Sequence, residues 1–180
     1  NTFTSYKSDP SLPASLHANY LTAIFQDRQG LIWLGTPGYG VNYFQPQKKQ
    51  FQSLLPRGVG HSSDGWLWAR AASEDTDGNL WLATAGGAIQ YHPSAGVMRH
   101  FRNEEKKDRQ IYYNSARGIL CEDDWVWMIT GGGINRYHRS TGKMDFLTGT
   151  DSLPTAFYFT AFKDSRGTLW IGGRDHDGLY

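Results

Sequence analysis

The segment 27-DRQGLIWLGT-36 sets an acid, a glycine and a tryptophan at fixed offsets, then stops at a small residue and a threonine. A near copy, 75-DTDGNLWLAT-84, comes next, and another, 164-DSRGTLWIGG-173, lies near the C-terminus. A worn version, 122-EDDWVWMIT-130, stands between these two copies. Each reads as a tight turn joining two strands. Asp27 can accept a hydrogen bond from the backbone amide two residues on, and Gly30 can take the positive φ that the turn needs. Trp33 then falls on a strand, where its large ring can bury against a neighbouring unit.

The repeat extends beyond this phrase. Trp33, Trp81, Trp127 and Trp170 are 48, 46 and 43 residues apart. Tyr43, Tyr91 and Tyr137 each lie ten residues after their tryptophan, behind the glycine-rich bends "GYGVNYF", "GGAIQYH" and "GGGINRYH". Phe51, Phe101 and Phe146 close the units, and Phe3 reads as the closing position of a unit that begins earlier. The first full unit parses into strands at roughly 20–26, 31–36, 41–45 and 50–54, with alternating polar and apolar residues. A four-stranded sheet has two faces and cannot bury both alone. Tiling such sheets around an axis hides the faces and leaves only short edges. A period near 46 residues falls in the range of propeller repeats. The expected fold class is therefore all-β, made of propeller blades of four antiparallel strands.

The expected blades are a partial one at 1–10, three at about 11–55, 56–103 and 104–148, and an incomplete one at 149–180. "NTFTSY" at the start and "DGLY" at the end both read as strands. The chain is thus expected to be a portion of a larger ring. Closure as four blades, with residues 2–6 supplying the missing outer strand, and pairing of two copies are the alternatives.

Composition agrees with strands and turns. Aromatics make up 14 % of the 180 residues, glycine contributes 21, and only 19 % are charged. Lys and Arg number 18 against 17 Asp and Glu, so there is no strong field to draw nucleic acid or a membrane surface. No apolar run is long enough to span a bilayer. The lone Cys121 cannot form an intrachain disulfide. The charged run "RNEEKKDRQ" at 102–110 reads as a solvated loop.

The pattern D-x-x-G-x-[LI]-W-[LI]-[GA]-T followed by G-G-[VI]-N-x-[YF] resembles the two-component regulator propeller repeat. "GYGVNYFQPQKKQF" at 38–51 is similar to the version in hybrid two-component sensors of polysaccharide-degrading bacteria. So are "SLPASLHANYLTAIFQD" at 11–27 and "DSLPTAFYFTAFKD" at 151–164, where a Leu-Pro loop precedes the innermost strand. The resemblance implies a seven-bladed ring in a periplasmic sensor region, ahead of a membrane span, a histidine kinase and regulator modules outside this chain. It also implies an oligosaccharide as ligand, other blades or domains of the same receptor as partners, and a homodimer as a further possibility. No cofactor is implied. In the third copy the turn is shortened, and Glu122 or Asp123 stands where the aspartate should be. In the fourth, Gly173 replaces the threonine.

Ligands of propellers usually meet the loops that lead into the inner strands, because a rigid scaffold positions the groups those loops carry. Here these are 12–20, 58–70, 108–117 and 152–159. They hold Tyr20, Trp66, Trp68, Tyr112, Tyr113, Phe157 and Tyr158, whose rings suit the C–H faces of sugars. His61, Asp64, Arg70, Asn114 and Arg117 can hydrogen-bond hydroxyls. Trp66 and Trp68 can equally pack between blades, and Arg70 and Arg117 can be ion-paired on the rim. Catalysis is not expected of this segment. The turn is similar to the Asp box of sialidases, but its aspartate–glycine spacing is one residue longer, and that box is a turn device. Asp64, Asp108 and Asp151 are scattered, without the paired carboxylates of a glycosidase. Asp175–His176–Asp177 raises a metal site, but neighbours on an extended chain point to opposite sides.

Overall fold

The computed structural model describes residues 2–54, 68–103, 111–147, 153, 157–174 and 178–180. Among them there is no helix, and fourteen strands succeed one another. Sheet I holds β1 (Ala23–Gln26), β2 (Ile32–Thr36), β3 (Gly40–Gln45) and β4 (Gln50–Ser53). Sheet II holds β5 (Ala69–Glu74), β6 (Leu80–Thr84), β7 (Gly87–His92) and β8 (Gly96–Phe101). Sheet III holds β9 (Ala116–Glu122), β10 (Trp125–Thr130), β11 (Gly133–His138) and β12 (Met144–Phe146). Sheet IV pairs β13 (Tyr158–Lys163) with β14 (Leu169–Gly173), and Tyr180 continues it by exchanging both backbone hydrogen bonds with Ile171. Every pairing between named strands is antiparallel and joins neighbours in sequence, which is the meander of a propeller blade.

The repeated phrase builds the same latch in each blade. Asp27 Oδ1 accepts the amides of Gln29 and Leu31, both at 2.9 Å, and Asp27 Oδ2 accepts the Trp33 indole N–H at 2.7 Å. Asp75 does the same for Asp77, Asn79 and Trp81, and Asp164 for Arg166, Thr168 and Trp170. Gly30, Gly78 and Gly167 close these turns at φ between 81° and 86°. One carboxylate thus fixes the turn and aims the tryptophan. In sheet III the turn is one residue shorter, with Asp123 in the left-handed region, and Glu122 takes over: its longer side chain receives the Trp127 indole at 3.1 Å. The other end of the phrase is equally regular. The hydroxyls of Thr36, Thr84 and Thr130 are buried and donate to the carbonyls of Gly40, Gly87 and Gly133 across the next hairpin.

The tryptophans pack between sheets. Trp33 and Val41 of sheet I meet Ala69, Leu80, Leu82 and Ile89 of sheet II. Trp81, Ala88 and Phe101 of sheet II meet Ile119, Val126, Met128 and Tyr137 of sheet III. Ile129 and Ile134, with Trp127 beside them, meet Tyr158 and Ile171 of sheet IV. Burying one such ring is worth on the order of 3 kcal/mol. The inner strands β1, β5, β9 and β13 stand side by side in that order. The arc is open: Ile24 on the first flank is 76 % exposed, and Phe162 and Trp170 on the last are 64 % and 41 % exposed.

One sequence expectation needs correction. Residues 2–7 form no strand, and Phe3 is fully exposed. Side-chain stacking holds this segment instead: the Tyr6 ring lies 5.1 Å from Phe44 and 5.3 Å from Phe51. The equal spacing of Tyr43, Tyr91 and Tyr137 hides a difference in register. The hairpin from Thr36 to Gly40 has one more residue than those from Thr84 to Gly87 and Thr130 to Gly133. Tyr43 therefore sits opposite Trp33, whereas Gln90 and Arg136 sit opposite Trp81 and Trp127. A one-residue slip turns a side chain to the other face. Tyr91 and Tyr137 consequently point back to the tryptophan of the preceding sheet, and Tyr43 does not.

Candidate ligand-binding face

The antiparallel register places the two ends of each blade. The latches and their turns lie at one end. The loops entering the inner strands lie at the other, beside the threonine–glycine hairpins.

The latch end is tied shut by charge. Arg28 of sheet I pairs with Glu74 at 3.2 Å. Arg139 of sheet III reaches Asp75 at 3.2 Å and Asp77 at 2.7 Å on the turn of sheet II. Lys163 of sheet IV pairs with Glu122 of sheet III. Burial works against the charge on Asp75, but hydrogen bonds from Trp81 and Asn79 and the nearby Arg139 hold its carboxyl below the ordinary range. These groups satisfy one another, so this end has few free valences for a ligand.

The opposite end is built differently. Asn42 and Asn135 are fully buried, and their side-chain oxygens accept the backbone amides of His17 and Tyr112, at 3.3 and 2.9 Å. Each pins the loop that runs into its blade. In sheet III that anchor leaves Tyr112 packed edge-on against Phe146 at 5.1 Å, while Tyr113 stands 54 % exposed. Gly131 and Gly132 lie directly beneath. A Cβ on Gly131 would come within 2.8 Å of the Phe157 ring and 3.4 Å of Tyr113, so the bare backbone is what lets both rings close in. The Arg117 guanidinium lies 4.9 Å from the centre of Phe157 and 4.4 Å from that of Phe159. Arg174 is 5.6 Å from Phe157. Arg70 donates to Ser115 Oγ at 2.5 Å and to the Ala116 carbonyl at 3.3 Å, across the junction of sheets II and III.

Of the candidates named from sequence, Arg70, Tyr113, Arg117 and Phe157 therefore come together around the entrances to sheets III and IV. Tyr112 flanks them, half-buried. Asn114 is also half-buried and accepts the amide of Asn103. Tyr20 and Trp68 are exposed at the same end of sheets I and II. Tyr158 is fully buried and packs against Tyr180, so its ring offers no face to a ligand: alternation along β13 sends it into the core and its neighbours outward. His61, Asp64 and Trp66 lie outside the described residues, as do Asp108, Asp151, Asp175, His176 and Asp177 and most of the charged run. The rim ion pairs considered for Arg70 and Arg117 are not found among the described residues. Phe159 and Arg174, and the two glycines of the hairpin, were not singled out from sequence. The alternation of "FYF" at 157–159 was the available signal, since it sends Phe157 and Phe159 to the same side.

Among the described residues, hollows also lie at two other places. One, of about 340 Å³, is lined by Tyr6, Leu12, Pro13 and Phe51. The other, of about 190 Å³, is lined by Asp77, Arg99, Asp124 and Arg139 near the latches. Among the described residues no group of three or more His, Cys, Asp or Glu side chains could hold a metal, and no helix is long and apolar enough to cross a membrane.

Comparison with known proteins sharpens the class. Residues 15–38 match the family described as "Two component regulator propeller". The chain is similar to the extracellular domain of the hybrid two-component system BT3049 from B. thetaiotaomicron, at 25 % identity and a TM-score of 0.68, over 96 % of this chain and 22 % of that one. It is similar in fold to the extracellular domain of BT4673 from the same organism, at 22 % identity and a TM-score of 0.70, over 91 % of this chain and 21 % of the other. Virginiamycin B lyase from Staphylococcus aureus shares the fold at 13 % identity and a TM-score of 0.61, over 89 % and 54 % of the two chains. No curated protein sequence matches. The fold is that of a β-propeller segment, and its residues 15–38 match the two-component regulator propeller repeat. Both of these two-component neighbours are extracellular domains. The chain spans about a fifth of the two-component domains it resembles.

Proposed function

We propose that this chain is the ligand-binding portion of a propeller in a hybrid two-component receptor, and that the ligand is an oligosaccharide. The observation that carries the reading is the cluster of Tyr113, Phe157 and Arg117 around Gly131, at the blade end where the loops enter the inner strands. The exposed ring of Tyr113 offers an apolar face to sugar C–H groups beside the half-buried Phe157, and the guanidinium supplies fixed donors to ring and hydroxyl oxygens. The groups come from two sheets, so a ligand held there contacts both. Binding then favours whichever arrangement of the two blades fits it best, and that differential affinity is what a signal requires. The histidine kinase that reads the signal belongs to the receptor outside this chain.

Titration of a glycan panel into the intact protein, followed by calorimetry, tests the reading. A saturable isotherm that weakens in Tyr113→Ala and Phe157→Ala supports it. No heat and no melting shift with any glycan, from a protein whose full receptor responds to glycans, contradicts it. Released product would point to a carbohydrate-cleaving activity instead.

The open flanks favour one further element of the reading. Ile24 at one end and Phe162 with Trp170 at the other present apolar surface of the kind that the interior blades bury against each other. Further blades of the same receptor cover them, in a ring larger than this arc and, by the resemblance to the family, seven-bladed. A scaffold role, with the ligand held by another part of the receptor, is the outcome if the titration fails.

A further inference from the structure

Arginines recur at the starts of the inner strands. Arg70 and Arg117 each follow a fully buried or nearly buried alanine, Ala69 and Ala116, at matching places in β5 and β9. Arg174 follows β14, and its amide donates to the Phe157 carbonyl at 2.9 Å, which draws it to the same corner. Arg117 and Arg174 share the Phe157 ring, on which both guanidinium carbons rest within 6 Å. Like charges so placed repel, and half-burial strengthens the repulsion. Burial, and then the charge of Arg117, hold the Arg70 guanidinium below its ordinary range; burial, and then Arg174, do the same for Arg117.

The usual remedy for such a row is a carboxylate. Elsewhere in the molecule the remedy is applied: Arg28, Arg136 and Arg139 all have acidic partners. Among the described residues none pairs with Arg70 or Arg117. Among the described residues the buried Nε of Arg117 finds no hydrogen-bond partner. Its two aromatic neighbours supply only the faces of their rings.

We infer that the ligand recognised at this face is an anionic sugar, whose carboxylate or sulfate group sits between Arg70 and Arg117 while its ring stacks on Tyr113. An anion there cancels the repulsion within the row and receives the bidentate hydrogen bonds that guanidinium groups make best. The inference rests on the oligosaccharide reading and narrows it to one chemical class.

Trigalacturonate, a sulfated chondroitin disaccharide and maltotriose are titrated into the intact protein at two salt concentrations. The first two separate a carboxylate from a sulfate source, and the third is the neutral control. At least one acidic probe is expected to bind, with affinity that falls as salt rises. Arg117→Gln and Arg70→Gln are each expected to weaken it by about tenfold or more, with partial rescue by Arg117→Lys. Acidic probes that bind equally well to the Gln variants overturn the inference and leave the arginines as pins between blades, a role visible only in stability. Maltotriose binding as tightly as the acids overturns the inference but keeps the oligosaccharide reading. No binding by any of the three overturns the inference, and the wider glycan panel then decides the oligosaccharide reading. If the Gln variants do not fold, Arg117→Lys and the salt dependence of the unaltered protein decide the same question.

Discussion

The Trp81 indole nitrogen donates to Asp75 Oδ2 at 2.7 Å, while the Trp81 ring lies 5.9 Å from that of Tyr137 in the next sheet. One residue thus closes its own blade's first turn and seals the joint to the following blade. That double use explains why aspartate, glycine and tryptophan recur together.

Removing the acceptor should be costly where the latch is buried. Asp75→Ala strands the Trp81 and Asn79 donors and leaves Arg139 short of an anion, at an expected cost of about 3 kcal/mol. Urea unfolding measures it. Asp164→Ala cuts the equivalent bonds on the open flank, where Trp170 is partly solvated, and should cost clearly less. Equal losses at the two sites would show that packing between blades does not strengthen the latch.

Acid should loosen the same joint. The Asp75 carboxyl titrates below its ordinary value of 3.8 in the folded protein. Its contribution is therefore present above that value and disappears as pH falls through the lower, folded one. The unfolding midpoint should drop steeply on acidification below pH 3.8, and Asp75→Asn should flatten part of that slope. An unchanged slope in the variant would assign the acid sensitivity to other carboxylates, such as Asp145 and Glu122, which are also held low by their Lys partners.

Gly87 opens β7 at φ 125°, and a Cβ there would come within 2.1 Å of the Phe101 carbonyl oxygen. Neither backbone can yield without breaking the outer pairing of sheet II. Gly87→Ala should cost about 3 kcal/mol or more, read from thermal or urea unfolding. A loss below about 1 kcal/mol would mean that the outer strand detaches at little cost.

Burial pushes the Cys121 thiol up to about 12, and hardly any thiolate exists near neutrality. A thiol-reactive disulfide reagent should label the protein only as fast as it opens. Rapid labelling of the native protein would contradict the packing of β9 against sheet II.

Much of the architecture was legible because each blade solves one local problem with the same residues. Asp27, Gly30, Trp33 and Thr36 all act within ten residues of chain, so their spacing reveals their roles. The face taken by Tyr43 was not legible, because hairpin length, not distance from Trp33, decides it. Glu122 was uncertain because side-chain length there compensates for a shorter turn. Residues 2–7 looked like a strand by composition, but Tyr6 finds its partners in Phe44 and Phe51, which only the folded sheet brings together. The face around Gly131 was partly visible in its aromatic residues. The approach of Arg70, Arg117 and Arg174 was not, because they come from three parts of the chain 47 and 57 residues apart.

Hydrogen–deuterium exchange with and without saturating trigalacturonate probes the proposed face most directly. Slowed exchange is expected at 111–118, 131–133 and 157–160, the segments that carry or support Tyr113, Arg117, Gly131 and Phe157. No slowing there, or slowing confined to the latch end around Asp77 and Arg139, would contradict a ligand site at the entrances of the inner strands.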